Sequence, residues 1–338
     1  MTPSLETGRL RIAVAMTTCD AEPFLSAQLE SIAGQTRLPD LVVVSDDAST
    51  DATVRILRDF SRTAPFPVRI YQQPSRLGVL GNSGVALAAA FESGDVIVPC
   101  ADDDKWLPQK IASLEAAFSG SGSLALWTSD AEWIDSDGRR LGVLMSDLVH
   151  LDAGVFERGD GLPRLLHGQT LSGGAMAVRR DVAEAAVPFP QDSDERGRIF
   201  EEDAWIAVMG RLLGAILVDD RPLLLYRRYP GQLSDTTARP KVELGRVGTI
   251  RRYGCATALA AERVRARPHA PWDPRQIAVL FEIEALFKAR TAPRGTPGRW
   301  RAIVRQVRSG AYNRHTRGLL TALSDLIRAG GKSPRYRP

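Results

Sequence analysis

Four short apolar runs punctuate the first hundred residues: RIAVAM (11–16), LVVVSDD (41–47), VRIYQQ (68–73) and DVIVPC (95–100). Their length and β-branched content predict strands. Between them the apolar positions open out to a helical period. EPFLSAQLESIAGQT (22–36) puts Phe24, Leu25, Leu29 and Ile32 on one face, with Pro23 suited to the first turn. STDATVRILRDFS (49–61) does the same with Val54, Ile56, Leu57 and Phe60, and Ser49 or Thr50 can cap it. LGNSGVALAAAFESG (80–94) reads as a helix of small residues. Strand and helix in strict alternation require crossover connections, hence an α/β fold with a mostly parallel sheet.

Further on, KWLPQKIASLEAAF (105–118) predicts a helix and LALWTSDAEWIDSDGRRLGVL (124–144) a hairpin. Its DSDG is a turn with Gly138 in the left-handed position, and it lacks the ligand register of a calcium loop. Residues 145–170 are looser. GGAMAVRRDVAEAA (173–186) passes from strand to helix, and 188–200 is a loop. EEDAWIAVMGRLLG (201–214) is a helix with Trp205, Val208, Met209 and Leu212 on one face, and AILVDDRPLLLYRRY (215–229) gives two strand-like runs. From about residue 240 helical patterns are separated by Pro and Gly. In GRWRAIVRQVRSG (298–310), Trp300, Ile303, Val304 and Val307 share a face, with Arg301, Arg305 and Arg308 on much of the rest. Such a helix either lies on an anionic membrane or packs on the protein with its arginines in water.

Charge sharpens this division. The net charge of +4 conceals an acidic body and a basic tail: residues 1–238 hold 22 Lys and Arg against 34 Asp and Glu, residues 239–338 hold 22 against 6. The 338-residue length accommodates one α/β core with appendages. Three cysteines, Cys19, Cys100 and Cys255, with no CxxC pair, argue against a disulfide framework or zinc cage and suit a reducing cytosol. The N-terminus shows no leader pattern, and no window approaches the ~20 apolar residues of a membrane span. The expected localisation is cytoplasmic, or peripheral at the inner face of the membrane. Nucleic acid is excluded as a partner: Trp300 and Tyr312 are too sparse to form a stacking platform.

Chemistry concentrates in three acidic clusters: Asp46-Asp47, Asp102-Asp103-Asp104 and Glu201-Glu202-Asp203. The first two follow strands, and in an open α/β sheet ligands bind beyond the carboxyl ends of the strands. Magnesium typically takes one or two carboxylates plus substrate phosphates, so ADDD suggests a metal held for a phosphorylated ligand. The alternative is a helix start, with Asp104 as the cap; Glu201-Glu202-Asp203 equally suits the acidic first turn of its helix. His150, His167, His269 and His315 fall in no metal-ligand spacing. No Walker loop, dinucleotide fingerprint or G-x-S-x-G elbow is present.

The segments VAMTTCDAEPFLSAQLESIAGQTRLPDLVVVSDDASTD and RLGVLGNSGVALAAAFESGDVIVPCADDDKWLPQKI resemble glycosyltransferase family 2, most of all its bacterial rhamnosyltransferase-like members. Those read T-Y-N-G, Q-L-x-S-I-x-x-Q-T, D-D-x-S-x-D and D-x-D-D-x-W-x-P-x-K in this order, and the resemblance covers residues 10–235. It implies a GT-A fold over 1–238, with a nucleotide-sugar half at about 10–105 and an acceptor half at about 106–238, followed by the basic helical region 239–338. The implied reaction is inverting transfer of a hexosyl or deoxyhexosyl group, of rhamnosyl type, from a dTDP-, UDP- or GDP-linked sugar to a hydroxyl. The acceptor would be a sugar, a lipid-linked or a small molecule in polysaccharide, glycolipid or natural-product glycosylation. The cofactor would be Mg2+ or Mn2+.

Carried over by position, Thr17, Thr18, Asp46, Asp47, Arg76, Asn82, Asp102, Asp103 and Arg227 would contact the nucleotide sugar, and Asp103 and Asp104 of the DxD region the metal. Asp203 would be the general base, and Gly173, Gly174 and Glu202 would shape the acceptor side. Three departures stand out. Thr18-Cys19-Asp20 replaces the usual Asn-Gly segment, Ala101 stands where an acid is usual, and Tyr229 takes the place of a histidine expected near the metal or diphosphate. A phenol is a poor metal ligand at neutral pH, so the alternative reading is a catalytically weak nucleotide-sugar-binding or scaffold protein on the same fold. The basic region would serve membrane or acceptor docking, or a homodimer.

Overall fold

The computed structural model describes residues 9–148, 154, 156, 161–167, 171–194, 197–232, 246–292, 296–316 and 318–327. His150 lies outside them. By contacts the chain divides into two compact units. The first takes its described residues from within 1–159, 170–189 and 201–240; the second from within 160–169, 190–200 and 241–338.

In the first unit β1 (Ile12–Thr18) is flanked in parallel by β2 (Leu41–Asp46) and β4 (Val96–Cys100), and β3 (Val68–Gln72) lies beyond β2. Helices α1 (Leu25–Ala33), α2 (Thr53–Thr63) and α3 (Gly78–Phe91) make the crossovers, as the alternating pattern requires. After β4 come β5 (Lys105–Trp106), α4 (Lys110–Gly120), β6 (Leu124–Ile134), β7 (Arg140–Leu144), the short α5 (Met145–Leu148) and β8 (Met176–Arg179). A minor antiparallel pair, β9 (Ser193–Asp194) with β10 (Gly197–Arg198), belongs to the second unit. The last strand of the main sheet is β11 (Ala215–Arg227). Strand order is β3-β2-β1-β4-β8-β6-β11-β5, with β7 paired to β6. The pairs of β1, β2, β3 and β4 and the long β6–β11 pair are parallel; those made by β8, β5 and β7 are antiparallel. Ile12, Val14 and Met16 of β1 join Leu25, Leu29 and Ile32 of α1 in the core.

The hairpin over 124–144 and the positive φ of Gly138 (84°) agree with expectation. Four details differ. The helix expected from Lys105 begins at Lys110, because Lys105 and Trp106 pair with Leu225 and Leu224 as β5. α1 begins at Leu25, leaving Pro23 in the preceding turn. Neither Ser49 nor Thr50 caps α2; the Asp51 carboxylate accepts from Thr53 N over 2.9 Å instead. Residues 215–227 are one strand with a register shift at Asp219–Pro222.

The second unit gathers the helices Gly161–Leu166, Arg246–Ala266, Pro274–Thr291, Arg299–Arg308, Ala311–His315 and Leu319–Ile327. Asp273 caps Pro274–Thr291, accepting from Arg275 N over 2.8 Å, and Pro274 starts the helix at a position where its missing N–H has no intrahelical bond to make. Tyr253 stacks edge-on to Phe287, with centroids 4.5 Å apart. Of the apolar face expected over 298–310, Ile303 is buried, whereas Trp300 is 59% exposed. Among the described residues no helix is long and apolar enough to cross a membrane.

Candidate functional site

Parallel pairing in register brings the carboxyl ends of β1, β2 and β4 together, with Thr18 opposite Asp46 and Met16 opposite Cys100. The loops leaving these ends hold most of the predicted donor-side residues. Buried Thr18 donates its hydroxyl to Asp46 Oδ1 over 2.9 Å, and Asp46 also accepts from Ser49 N and Oγ. Asp47, also buried, accepts the Leu77 and Gly78 amides over 2.5 and 3.0 Å and so fixes the start of α3. Half-buried Thr17 precedes Thr18 on the same strand. Asn82 donates to Thr18 O over 3.3 Å, while its own Oδ1 is buried with no hydrogen-bond partner among the described residues. Arg76 pairs with Asp20 and lies against the Cys19 thiol. Two non-glycine residues here hold left-handed backbone, Asp20 (φ 50°) and Ala48 (φ 52°). Such strain persists only where the surroundings impose it, and it clusters at ligand-binding loops.

The three neighbouring aspartates diverge. Asp102 accepts from Cys19 N over 3.1 Å. Asp103 accepts from the Tyr229 hydroxyl over 2.9 Å and from Gln232 over 3.4 Å. Buried Asp104 accepts from Arg227 N over 3.0 Å, tying the loop to the end of β11. Asp104 therefore caps no helix. Among the described residues no three His, Cys, Asp or Glu side chains converge as a metal cage. Burial raises the pKa of all three, and Asp103 pushes Asp102 and Asp104 higher still, while the Tyr229 hydrogen bond works against the rise at Asp103. Burial, then the adjacent Asp103, raises the Tyr229 phenol in turn.

Arg227 reaches the aspartates, but its guanidinium donates to main-chain oxygens of Asp103 (2.7 Å), Asp135 (3.0 Å) and Ser136 (2.9 Å). It also stacks 4.6 Å over Phe24, whose ring lies 4.7 Å from that of Tyr229. This cluster orders the 101–104 loop.

The residues expected on the acceptor side meet the aspartates at one turn, the 3-10 segment Gly173–Ala175 between β11, β4 and β6. A Cβ on Gly173 would lie 3.5 Å from Asp203 Cβ, and one on Gly174 would lie 2.9 Å from Asp104 Oδ2. Asp203 stands in the first turn of the helix Glu202–Leu213 and accepts from Ala204 N over 2.6 Å. Burial first, then the charges of Glu202 and Glu201, push it up to about 7. Glu202 is half-buried beside it.

Sequence reasoning passed over Lys110. Its ammonium is fully buried, donates to Gly174 O and sits 4.2 Å from the Trp106 ring; burial pushes it down to about 7. The signal was present: Lys110, Leu114 and Phe118 recur at i, i+4 and i+8, on the buried stripe of α4. Nothing in the sequence marked Gln232 or Phe24 as part of the site.

A family model described as glycosyl transferase family 2 matches residues 13–185, just over half of the chain. It spans the loops after β1, β2 and β4 and the Gly173–Gly174 turn and stops short of Asp203. An uncharacterized protein of Mycobacterium tuberculosis is 31% identical over 96 residues, 28% of this chain and 27% of that protein. An uncharacterized glycosyltransferase of Nostoc sp. is 27% identical over 113 residues, 33% of this chain and 34% of its own length. The matches thus span only about a quarter to a third of these curated relatives. Among solved structures, Staphylococcus aureus TarS 1–349 in complex with UDP-GlcNAc superposes with a TM-score of 0.57 at 18% identity, over 94% of this chain and 88% of that one. GalNAc-T7 with UDP, GalNAc and Mn2+ gives 0.50 at 13%, over 84% and 56%. These likenesses show the fold: a curled, mostly parallel GT-A sheet with flanking helices.

Proposed function

The chain belongs to glycosyl transferase family 2, and on that premise we propose that it transfers a sugar, with inversion, from a nucleoside-diphosphate sugar to an acceptor hydroxyl, with Asp203 as the base. One observation carries the reading: Asp203, by its Cβ, and Asp104, by its carboxylate, border adjacent glycines of a single turn. Donor-side and acceptor-side groups are thereby within reach of one pair of substrates. An Asp203 that titrates at about 7 can take a proton at neutral pH and hold it, as a general base must. As a merely acidic helix start, Asp203 would gain nothing from a raised pKa.

Thr17, Thr18, Asn82 and Arg76 would line the nucleotide, in loops held by Asp46 and Asp47. Gly173, Gly174 and Glu202 would shape the acceptor side. The donor set near Asp102 and Asp103 is hard carboxylate oxygen, which suits Mg2+ or Mn2+ shared with a diphosphate, and the GalNAc-T7 structure holding UDP and Mn2+ supports it. Asp103 would hold the cation, which would stabilise charge on the departing diphosphate. Asp104 and Arg227, engaged with each other and with main chain, would keep the loop in place.

The test is diphosphate release by the full chain across dTDP-, UDP- and GDP-linked sugars, a deoxyhexose included, with and without Mg2+ or Mn2+. At least one donor is expected to turn over, faster with metal. Asp203→Asn should slow transfer by about 100-fold or more while retaining nucleotide binding. Transfer at the normal rate by that variant would remove the base assignment. Nucleotide binding with no turnover of any donor would favour the scaffold reading over the transferase.

A further inference from the structure

The helix Leu319–Ile327 is built inside out. Its inward side is small and polar: Thr321 and Ala322 are buried, and Asp325 is gripped from three directions. Arg290 Nε donates to Asp325 Oδ2 over 2.8 Å, the Tyr312 hydroxyl donates to the same oxygen over 3.1 Å, and Arg299 donates to the Asp325 main-chain oxygen. Its outward side is leucine. Leu319, Leu320, Leu323 and Leu326 are 61, 76, 55 and 36% exposed. Single exposed leucines are ordinary, but four on one helical stripe mark an interaction surface. The Arg290–Asp325 pair, nearly buried on both sides, fixes the rotation that keeps them outward.

Charge selects the occupant. From Arg299 to Pro338 the chain has ten Arg and Lys and one acid, Asp325, which is paired internally. Arg301, Arg305 and Arg308 are exposed on the helix that packs against the leucine helix, and exposed Trp300 has the Arg301 guanidinium 5.4 Å over its ring. A second copy of this surface would bring like charges together. An anionic bilayer attracts the arginines, accepts leucines at the acyl boundary and seats a tryptophan at headgroup level. We propose that Leu319, Leu320, Leu323 and Leu326, with Trp300, Arg301, Arg305 and Arg308, form a contact surface for an anionic membrane. It is independent of the transferase reading. Its apolar part lies mainly on Leu319–Ile327: of the stripe over 298–310 it takes Trp300, whereas Ile303 is buried.

The test is cosedimentation of the full chain with phosphatidylcholine vesicles, with and without phosphatidylglycerol. Binding is expected to the anionic vesicles at low salt, and to weaken by about tenfold or more at high salt. The double variant Leu320→Glu/Leu323→Glu should lose at least about tenfold in binding with unchanged thermal unfolding, since both side chains are exposed. Tryptophan emission should shift to the blue on addition of anionic vesicles, and Trp300→Phe should abolish that shift. Failure of the wild type to bind, or full binding by the double variant, overturns the proposal. So does a wild-type dimer in sedimentation velocity that the double variant dissolves, because the stripe would then belong to a second copy.

Discussion

Asp203, half-buried and largely desolvated beside Glu202 and Glu201, holds its proton to about pH 7, and that arrangement works against the folded state. In the unfolded chain an aspartate ionises near pH 4. As pH rises from there to about 7, the unfolded state gains from ionisation while the folded state does not, so stability falls and then levels off. Asn at this position has no proton to lose. Asp203→Asn should therefore match the wild type in urea unfolding near pH 5 more closely than at pH 8, where it should be the more stable by up to a few kcal/mol, since one pKa unit is about 1.4 kcal/mol. An equal difference at both pH values would show that burial of this carboxylate is not costly. At the same scale the sequence located the acidic clusters but not their partners. Tyr229, Gln232, Cys19 and Arg227 each engage one of Asp102, Asp103 and Asp104 from segments remote in the chain. Spacing within ADDD carries no record of contacts made across 83 to 129 residues.

The 3-10 turn between 171 and 176 is the element on which the site depends. Gly174 has Asp104 Oδ2 and Leu224 Cδ2 at 2.9 and 3.3 Å from where a Cβ would stand, and both neighbours are buried. Gly173 has only Asp203 Cβ, at an ordinary 3.5 Å. Gly174→Ala should cost about 1–3 kcal/mol in chemical unfolding, as overpacking does, whereas Gly173→Ala should be tolerated. Equal effects would mean that Asp104 and Leu224 yield freely. Most elements were legible because apolar period separates strand from helix directly. The failures have local causes. Asp219-Asp220-Arg221-Pro222 has the composition of a turn, yet Asp219 accepts from the Arg221 amide and guanidinium and closes a bulge, so the strand continues past it. Two residues, Lys105 and Trp106, are too few to show any period, and only their pairing with β11 makes them a strand.

The charge division between an acidic body and a basic tail was readable along the chain, and the second unit contains that tail. What the pattern does not show is that this unit also draws on segments from within 160–169 and 190–200. Leu162, Leu165 and Leu166 are buried there on a helix that packs with Arg246–Ala266 and Pro274–Thr291. His167 stacks 4.9 Å from Tyr253, and Ile199 O accepts from Arg252 over 3.2 Å. A chain ending at residue 238 would keep these segments and lose the helices Arg246–Ala266 and Pro274–Thr291. Exposing a buried leucine or phenylalanine costs roughly 2 kcal/mol, and the stranded residues include Ile199 and Phe200 as well. We expect residues 1–238 alone to aggregate, or to melt well below the full chain, whereas removing 328–338 leaves those contacts in place and should be far milder. A soluble 1–238 fragment with the full chain's melting temperature would show that the first unit needs nothing from the second. Transfer by that fragment would then assign the chemistry to the first unit alone.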